Sequence, residues 1–348
     1  MSYITGKMTI VHGSILTENG FKNGYIETEE HNSVTLHIQN QSSPTISHLI
    51  IPSFINAHTH IGDTFIRTKN IPLHADIEQL VAPPNGLKHR ILQTTDPKEI
   101  ENGIVKGLNE LKQNGISTFI DFRENGVQGL TMINKALLNT PVDSIILGRP
   151  QKLETTTKEI DNILMVADGI GLSSISEWDY DTVKFISEKT KQKNKLFAIH
   201  ASERIREPIN QIINLHPDFI IHMTVASKKD LLEVKKREIP IVVCPRSNLF
   251  FGMRPNIKHM HDIGNTILLG TDNFMLHQPS IIDEIRYIQR YFPNLFKLEQ
   301  LFLMNTYHGR NIISKFKKEL KVLFTSSWLV LDAQTYKIKG FLYNVEQA

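Results

Sequence analysis

Two histidines one residue apart, His58 and His60 in "INAHTHIGDT", close an apolar run. On a strand, side chains two residues apart share a face, so both imidazoles can meet one ion, whereas on a helix they diverge. Taken alone, such a pair is equally the hydrogen-bonded end of a strand. Three further donors change the balance, since His200, His222 and Asp272 also end short apolar runs, in "LFAIH", "DFIIH" and "TILLGTD". Three imidazoles and a carboxylate suit zinc, iron or another first-row divalent metal, with one position left for water. We expect His58, His60, His200 and Asp272 to hold the ion, and His222 to stand beside the reacting water. Glu203, three residues after His200 in "IHASER", is expected to begin a helix, point back over the site and move protons. The structural alternative for Glu203 is a helix N-terminal carboxylate favoured by the macrodipole. Asp272 is expected to serve twice, as ligand and as acceptor of a proton from water.

These residues need strands that end at one rim. Eight short apolar runs alternate with helical stretches: "HLIIPSFINAH", "ISTFIDF", "SIILGRP", "DGIGLSS", "LFAIH", "DFIIHMT", "IPIVVCP" and "TILLGTD". Eight such units predict an α/β fold, a (β/α)8 TIM barrel, with its chemistry at the C-terminal strand ends. One intervening helix shows the pattern. In "DPKEIENGIVKGLNELKQNG", Asp96 can cap, Pro97 suits the first helical position, and Glu99 sits where a capping-box carboxylate would. Ile100, Ile104, Leu108 and Leu111 share a face, and Gly115 stops the helix. Helices are expected near 280–292 and 298–317. Residues 1–48 and 322–348 share strand-and-turn character instead. They are expected to pair as a small composite β-sandwich domain beside a barrel domain spanning 49–321.

Composition narrows the classes of function. The chain has 348 residues and a net charge of +3, from 39 basic and 36 acidic side chains mixed along its length. This gives no electrostatic reason for a nucleic-acid or membrane partner. The N-terminus lacks a signal-peptide pattern and no run approaches a membrane span; a soluble, cytoplasmic protein acting on a small molecule is expected, with a homo-oligomer left open. Cys244 is the single cysteine, which excludes an internal disulfide and a multi-thiolate zinc site, and also the paired-cysteine signature of cytidine deaminases. It reads as a small buried hydrophobe or a pocket-lining thiol. No HExxH occurs, and "GIGLSS" lacks the spacing of a phosphate loop. The second pair, His259 and His261 in "KHMHD", follows no apolar run and reads as a solvated connection.

Substrate contacts are less determined. Arg123, Arg149 and Arg246 follow or close candidate strands and can reach carbonyl or anionic groups, with surface ion pairing as the alternative. Trp178 and Phe65 can stack a planar ring or simply pack. The long connection 68–96, which holds Lys88 and His89, is expected to cover the site.

The segments "IPSFINAHTH", "LFAIHASE", "IIHMTVAS", "VVCPRSNL" and "LLGTDN", in this order, resemble the amidohydrolase superfamily, and within it the nucleobase, S-adenosylhomocysteine and triazine aminohydrolases. The resemblance spans 49–310 as the barrel and both ends as the sandwich. It implies the same ligand set, Glu203 as proton shuttle, and hydrolytic deamination of an aminated heterocycle or amidine by hydroxide generated on the metal. Binuclear members bridge two metals with a lysine or acidic residue on strand four. Here that strand carries Gly171 and Leu172, so the resemblance implies one ion per chain. Hydrolysis of a cyclic amide or imide at the same site is the alternative chemistry, and an inactive homologue that keeps the barrel for assembly is a further one.

Overall fold

The computed structural model describes residues 9–28, 34–39, 47–69, 71–140, 142–314, 327–343 and 345–347. Parts of the expected head and tail domain, including 322–326, and the last residues of the helix expected over 298–317 lie outside them. The chain forms two compact units, residues 1–55, 112–117 and 296–348, and residues 56–111 and 118–295.

In the first unit a seven-stranded sheet gathers both ends of the chain. Alternation of inward and outward side chains shows in the second half of Gly20–Thr28, where Gly24, Ile26 and Thr28 are buried and Tyr25 and Glu27 between them are only half-buried. Gly20 turns the first hairpin with a φ of +102°, a conformation costly to any residue with a Cβ. The tail strand Ser327–Asp332 pairs antiparallel with His48–Pro52, and Val345–Gln347 runs parallel to Val34–Ile38. Ile15, Ile26, Val34, Leu36, Ile50, Trp328, Val330 and Leu342 form the core of this sheet. The helix expected over 298–317 is instead two, Leu298–Met304 and Tyr307–Ile313. Asn305 breaks it, because its backbone carbonyl accepts from Ile55 N at 2.8 Å and its amide donates to Ile55 O at 2.6 Å. Those bonds mimic a strand partner and are incompatible with continuing the helix.

The second sheet has nine strands with helices between them. Its order follows the sequence: Phe54–His60, Ile116–Arg123, Asp143–Gly148, Gly169–Leu172, Leu196–Ala201, Phe219–His222, Ile241–Val243 and Ile267–Leu269, with Asp272–Asn273 beside the first. Neighbours from Ile116–Arg123 to Ile267–Leu269 run parallel, as does Asp272–Asn273 against Thr59–His60. The helix Pro97–Gln113 buries Ile100, Ile104, Leu108 and Leu111 as expected, and Asp96 Oδ1 accepts from Lys98 N at 2.8 Å. Glu99, expected to complete a capping box, is drawn to Lys69 at 2.7 Å. Among the described residues no helix is long and apolar enough to cross a membrane.

The eighth expected strand is split at Gly270–Thr271. Its first part pairs with Ile241–Val243 and its second with Thr59–His60. At the split Gly270 presses on the His58 backbone, and a Cβ there would stand 2.7 Å from His58 Cβ and 2.9 Å from His58 N. Neither atom belongs to a flexible side-chain end. Gly270→Ala should therefore lower stability by about 1–3 kcal/mol, read as a lower urea midpoint. An unchanged midpoint would mean that the backbone yields freely at this point.

Candidate metal centre

Four of the five expected donors lie at or near C-terminal strand ends in the second unit, and Asp272 follows the end of Ile267–Leu269. His58 and His60 share one face of Phe54–His60, His200 stands near the end of Leu196–Ala201, His222 ends Phe219–His222, and Asp272 opens the short strand beside the first. His58 Nε2 faces His200 Nε2 at 3.2 Å, and Asp272 Oδ1 lies 3.4 Å from His58 Nε2 and 3.6 Å from His60 Nε2. Two sets of three, His58 with His60 and His200, and His58 with His222 and Asp272, each bring their ligand atoms within 4.8 Å of one another. None of the five residues is more than 8% exposed. His222 and Asp272 hold left-handed backbones, with φ of 75° and 60°, a strain of roughly 1–3 kcal/mol apiece that gathers at functional sites.

The protonation chemistry suits a cation. Burial first, and then the nearby positive charge of Lys88, lowers His60 to about 3; burial lowers His222 to about 4 and His200 well below its ordinary value. These rings are neutral at pH 7, each with a lone pair to give. His60 Nδ1 meets Glu124 Oε1 at 2.9 Å and His200 Nδ1 meets Leu172 O at 2.8 Å. Each acceptor keeps the ring proton on Nδ1 and turns the Nε2 lone pair to the centre. Asp272 supplies the opposing charge. Burial pushes its carboxyl up, but His58, His222 and His60 outweigh this and hold it well below the usual range. Ser247 Oγ donates to Asp272 Oδ2 at 2.5 Å and Asn273 Nδ2 to Oδ1 at 2.9 Å. Converging lone pairs and a carboxylate repel one another unless something positive lies between them, so the donor set fits a divalent ion.

Glu203 departs from expectation in its backbone. The chain does not enter a helix there: Ser202 is left-handed, with φ 48°, and the next helix is Ile209–Asn214. Glu207 ties the bend, its Oε2 accepting from Ser202 N at 2.6 Å and its own N donating to Ser202 Oγ at 3.0 Å. The macrodipole alternative for Glu203 is thereby removed. Glu203 Oε1 accepts from Asn248 Nδ2 at 3.3 Å and lies 3.4 Å from His222 Nε2. Burial, then the charges of Asp272 and Glu177, push its carboxyl well above the usual range.

A cavity of about 60 Å³ opens on this cluster, lined by His60, His200, His222, Glu203 and Asp272. Arg149 and Glu177 join the wall, as do Ile77, Val81, Ala82, Pro83 and Lys88 from the connection expected to cover the site. Arg149 is 6% exposed, and its Nε has no hydrogen-bond partner among the described residues. His89 and Trp178 line an adjoining cavity that also touches Arg149. His89 Nε2 donates to Val81 O at 3.1 Å and Trp178 Nε1 to Ser173 Oγ at 2.8 Å.

Other expected contacts go elsewhere. Phe65 is 2% exposed and packs where Gly103 brings the helix Pro97–Gln113 against it, so it is no stacking platform. Arg246 is drawn to buried Glu284 at 2.6 Å and to Gln278 O at 2.9 Å, away from the cavity lining. Arg123 pairs with Asp121 and Glu124. His259 and His261 lie on the helix Ile257–Ile263, and Cys244 is buried. Sequence reasoning missed Glu124 and Glu177 and gave Lys88 no role of its own. Glu124 follows a strand end directly, a signal that was available; Glu177 and Lys88 lie in connections whose course only the folded chain reveals.

Comparison with known proteins agrees with this geometry. Residues 49–317 match the model of the amidohydrolase family. An uncharacterised protein of Methanocaldococcus jannaschii is 38% identical over 300 residues, 80% of this chain and 75% of that protein. A 5-methylthioadenosine/S-adenosylhomocysteine deaminase of Pyrococcus furiosus is 23% identical, over 75% of this chain and 69% of that one. The crystal structure of guanine deaminase from C. acetobutylicum with bound guanine has a TM-score of 0.66 at 14% identity, covering 93% of this chain and 91% of that one. That likeness is one of fold, and the fold is TIM-barrel-like. With the match spanning residues 49–317, the chain belongs to the amidohydrolase family, as a hydrolase of carbon–nitrogen bonds.

Proposed function

We propose that this protein hydrolytically deaminates an aminated heterocycle or related amidine, with one divalent ion, zinc, held by His58, His60, His200 and Asp272. The observation that carries the reading is the Glu203 carboxyl, pushed up by burial and set between Asn248 and His222 at the mouth of the donor cluster. The strand Gly169–Leu172 supports a single ion, because its sequence GIGL offers no lysine or carboxylate to bridge a second. Deaminase names among the relatives support the reaction class. In the same reading residues 49–321 are a closed (β/α)8 barrel, supported by the consecutive segments Ile267–Leu269 and Asp272–Asn273 at the two edges of the sheet. Residues 1–48 with 322–348 are its small composite β-sandwich, supported by pairing of head and tail strands.

When bound, the ion supplies Lewis acidity that brings the pKa of water towards about 7. The chain's own groups then move the protons. Glu203 takes one from the attacking water and passes it to the ring nitrogen beside the reacting carbon. Asp272 accepts the second, which reaches the departing amine through Glu203. One hydrogen of water ends on the ring and the other on ammonia, while oxygen remains as the carbonyl. His222 steadies charge on the attacking oxygen. Arg149, with its open Nε, meets a carbonyl or anionic group of the substrate, and His89 and Trp178 border its far end.

Two parallel screens test the reaction class. Aminated purines, pyrimidines, pterins and nucleosides, followed by a coupled ammonia assay, should yield at least one substrate whose product has a carbonyl in place of the amine. Cyclic amides and imides, followed by titration of new carboxylate, should yield none. Ring opening without ammonia would assign the alternative chemistry.

A further inference from the structure

Lys88 reaches the metal centre from the helix Leu87–Thr94 and is only 3% exposed. An ammonium has three N–H donors, and three acceptors surround this one: Glu124 Oε1 at 2.6 Å, Asn273 Oδ1 at 2.9 Å and Asp63 Oδ2 at 3.3 Å. Two of the three acceptors also touch the proposed ligands. Glu124 Oε1 faces His60 Nδ1 at 2.9 Å, and Asn273 Nδ2 donates to Asp272 Oδ1 at 2.9 Å. One lysine thus sits behind two ligands that come from different strands.

The same stretch of chain walls the cavity with Ile77, Val81, Ala82 and Pro83, and Glu78 at its outer side pairs with Arg204, the neighbour of Glu203. This cavity, about 60 Å³, shares Ile77, Ala82, Pro83, Glu177 and Glu203 with a further one of about 320 Å³. The stretch holding Lys88 therefore walls the approach to the cluster, and it is a connection between strands rather than a strand itself.

We infer that Lys88 is a positioning residue that couples closure of residues 71–96 over the cavity to the orientation of His60 and Asp272 towards the ion. The inference rests on the metal-site reading above. With the ammonium in place, Glu124 and Asn273 are fixed from behind and in turn fix the faces that His60 and Asp272 present. With the segment withdrawn, the Asn273 amide loses one of its two holds and the Glu124 carboxylate swings towards Arg123. Coupling of this kind is reciprocal, so the ion favours the closed segment as much as closure favours the ion.

Hydrogen exchange on the full-length, metal-free protein, with and without zinc chloride, tests this, together with zinc affinity measured by chelator competition. Zinc should slow amide exchange within residues 77–94 of the unsubstituted protein. Lys88→Met, verified as folded by circular dichroism, should bind zinc about 10–100-fold more weakly and, once saturated, show no such slowing. Zinc binding to the unsubstituted protein without slowing of 77–94 overturns the coupling and leaves the metal site standing, whatever the variant does. Equal affinity and equal slowing in Lys88→Met overturn the role of the lysine. Failure of the unsubstituted protein to bind zinc overturns both the coupling and the metal site.

Discussion

Asp272→Ala should strip the metal and reduce turnover by roughly 10³-fold or more, because Lewis acidity contributes several kcal/mol to the barrier and each 1.36 kcal/mol is tenfold. The carboxylate is the one anionic donor among the five converging groups, and it faces both His58 and His60. Its removal leaves neutral imidazoles, which hold a divalent ion far less well. Ser247 Oγ and Asn273 Nδ2 also lose their acceptor, so the variant's thermal midpoint must be followed alongside metal content by elemental analysis. Asp272→Asn keeps the size and an acceptor oxygen and should show the same metal loss with less change in stability. Normal metal content in both variants would exclude Asp272 as a ligand.

Glu203→Gln should behave differently, keeping the metal and the fold while turnover falls by roughly 10²–10⁴-fold. Glutamine preserves the acceptor that Asn248 Nδ2 uses but cannot shuttle a proton between water, ring nitrogen and amine. Stopped assays of ammonia release, paired with metal analysis of the same preparation, separate the two functions. Loss of the ion with the carboxylate would make Glu203 a ligand; undiminished turnover would leave it as a structural partner of Asn248 alone.

The donor residues were legible because each expected strand is a short apolar run, and the point where such a run ends marks the rim of a parallel sheet. His58, His60, His200, His222 and Asp272 all occupy such points. Local backbone was less legible. The bend at Glu203 depends on left-handed Ser202 and on Glu207 reaching back to it, and the break at Asn305 depends on Ile55, far away in sequence. Side chains with two plausible fates were decided by tertiary neighbours. Phe65 meets Gly103 and Arg246 meets Glu284, while Arg149 keeps an open Nε beside the cavity. Lys88 carried no local signal, since its meaning lies in Glu124, Asn273 and Asp63, which three other segments supply.

The most direct test of a single metal acting with Glu203 is a titration of chelated, metal-free protein with zinc, in which bound metal and ammonia release from an aminated substrate are followed together. Activity should be absent at the start, rise in proportion to bound zinc and level off at one equivalent per chain. Full activity in the metal-free protein, or a rise that continues to two tightly bound equivalents, would contradict the mononuclear site.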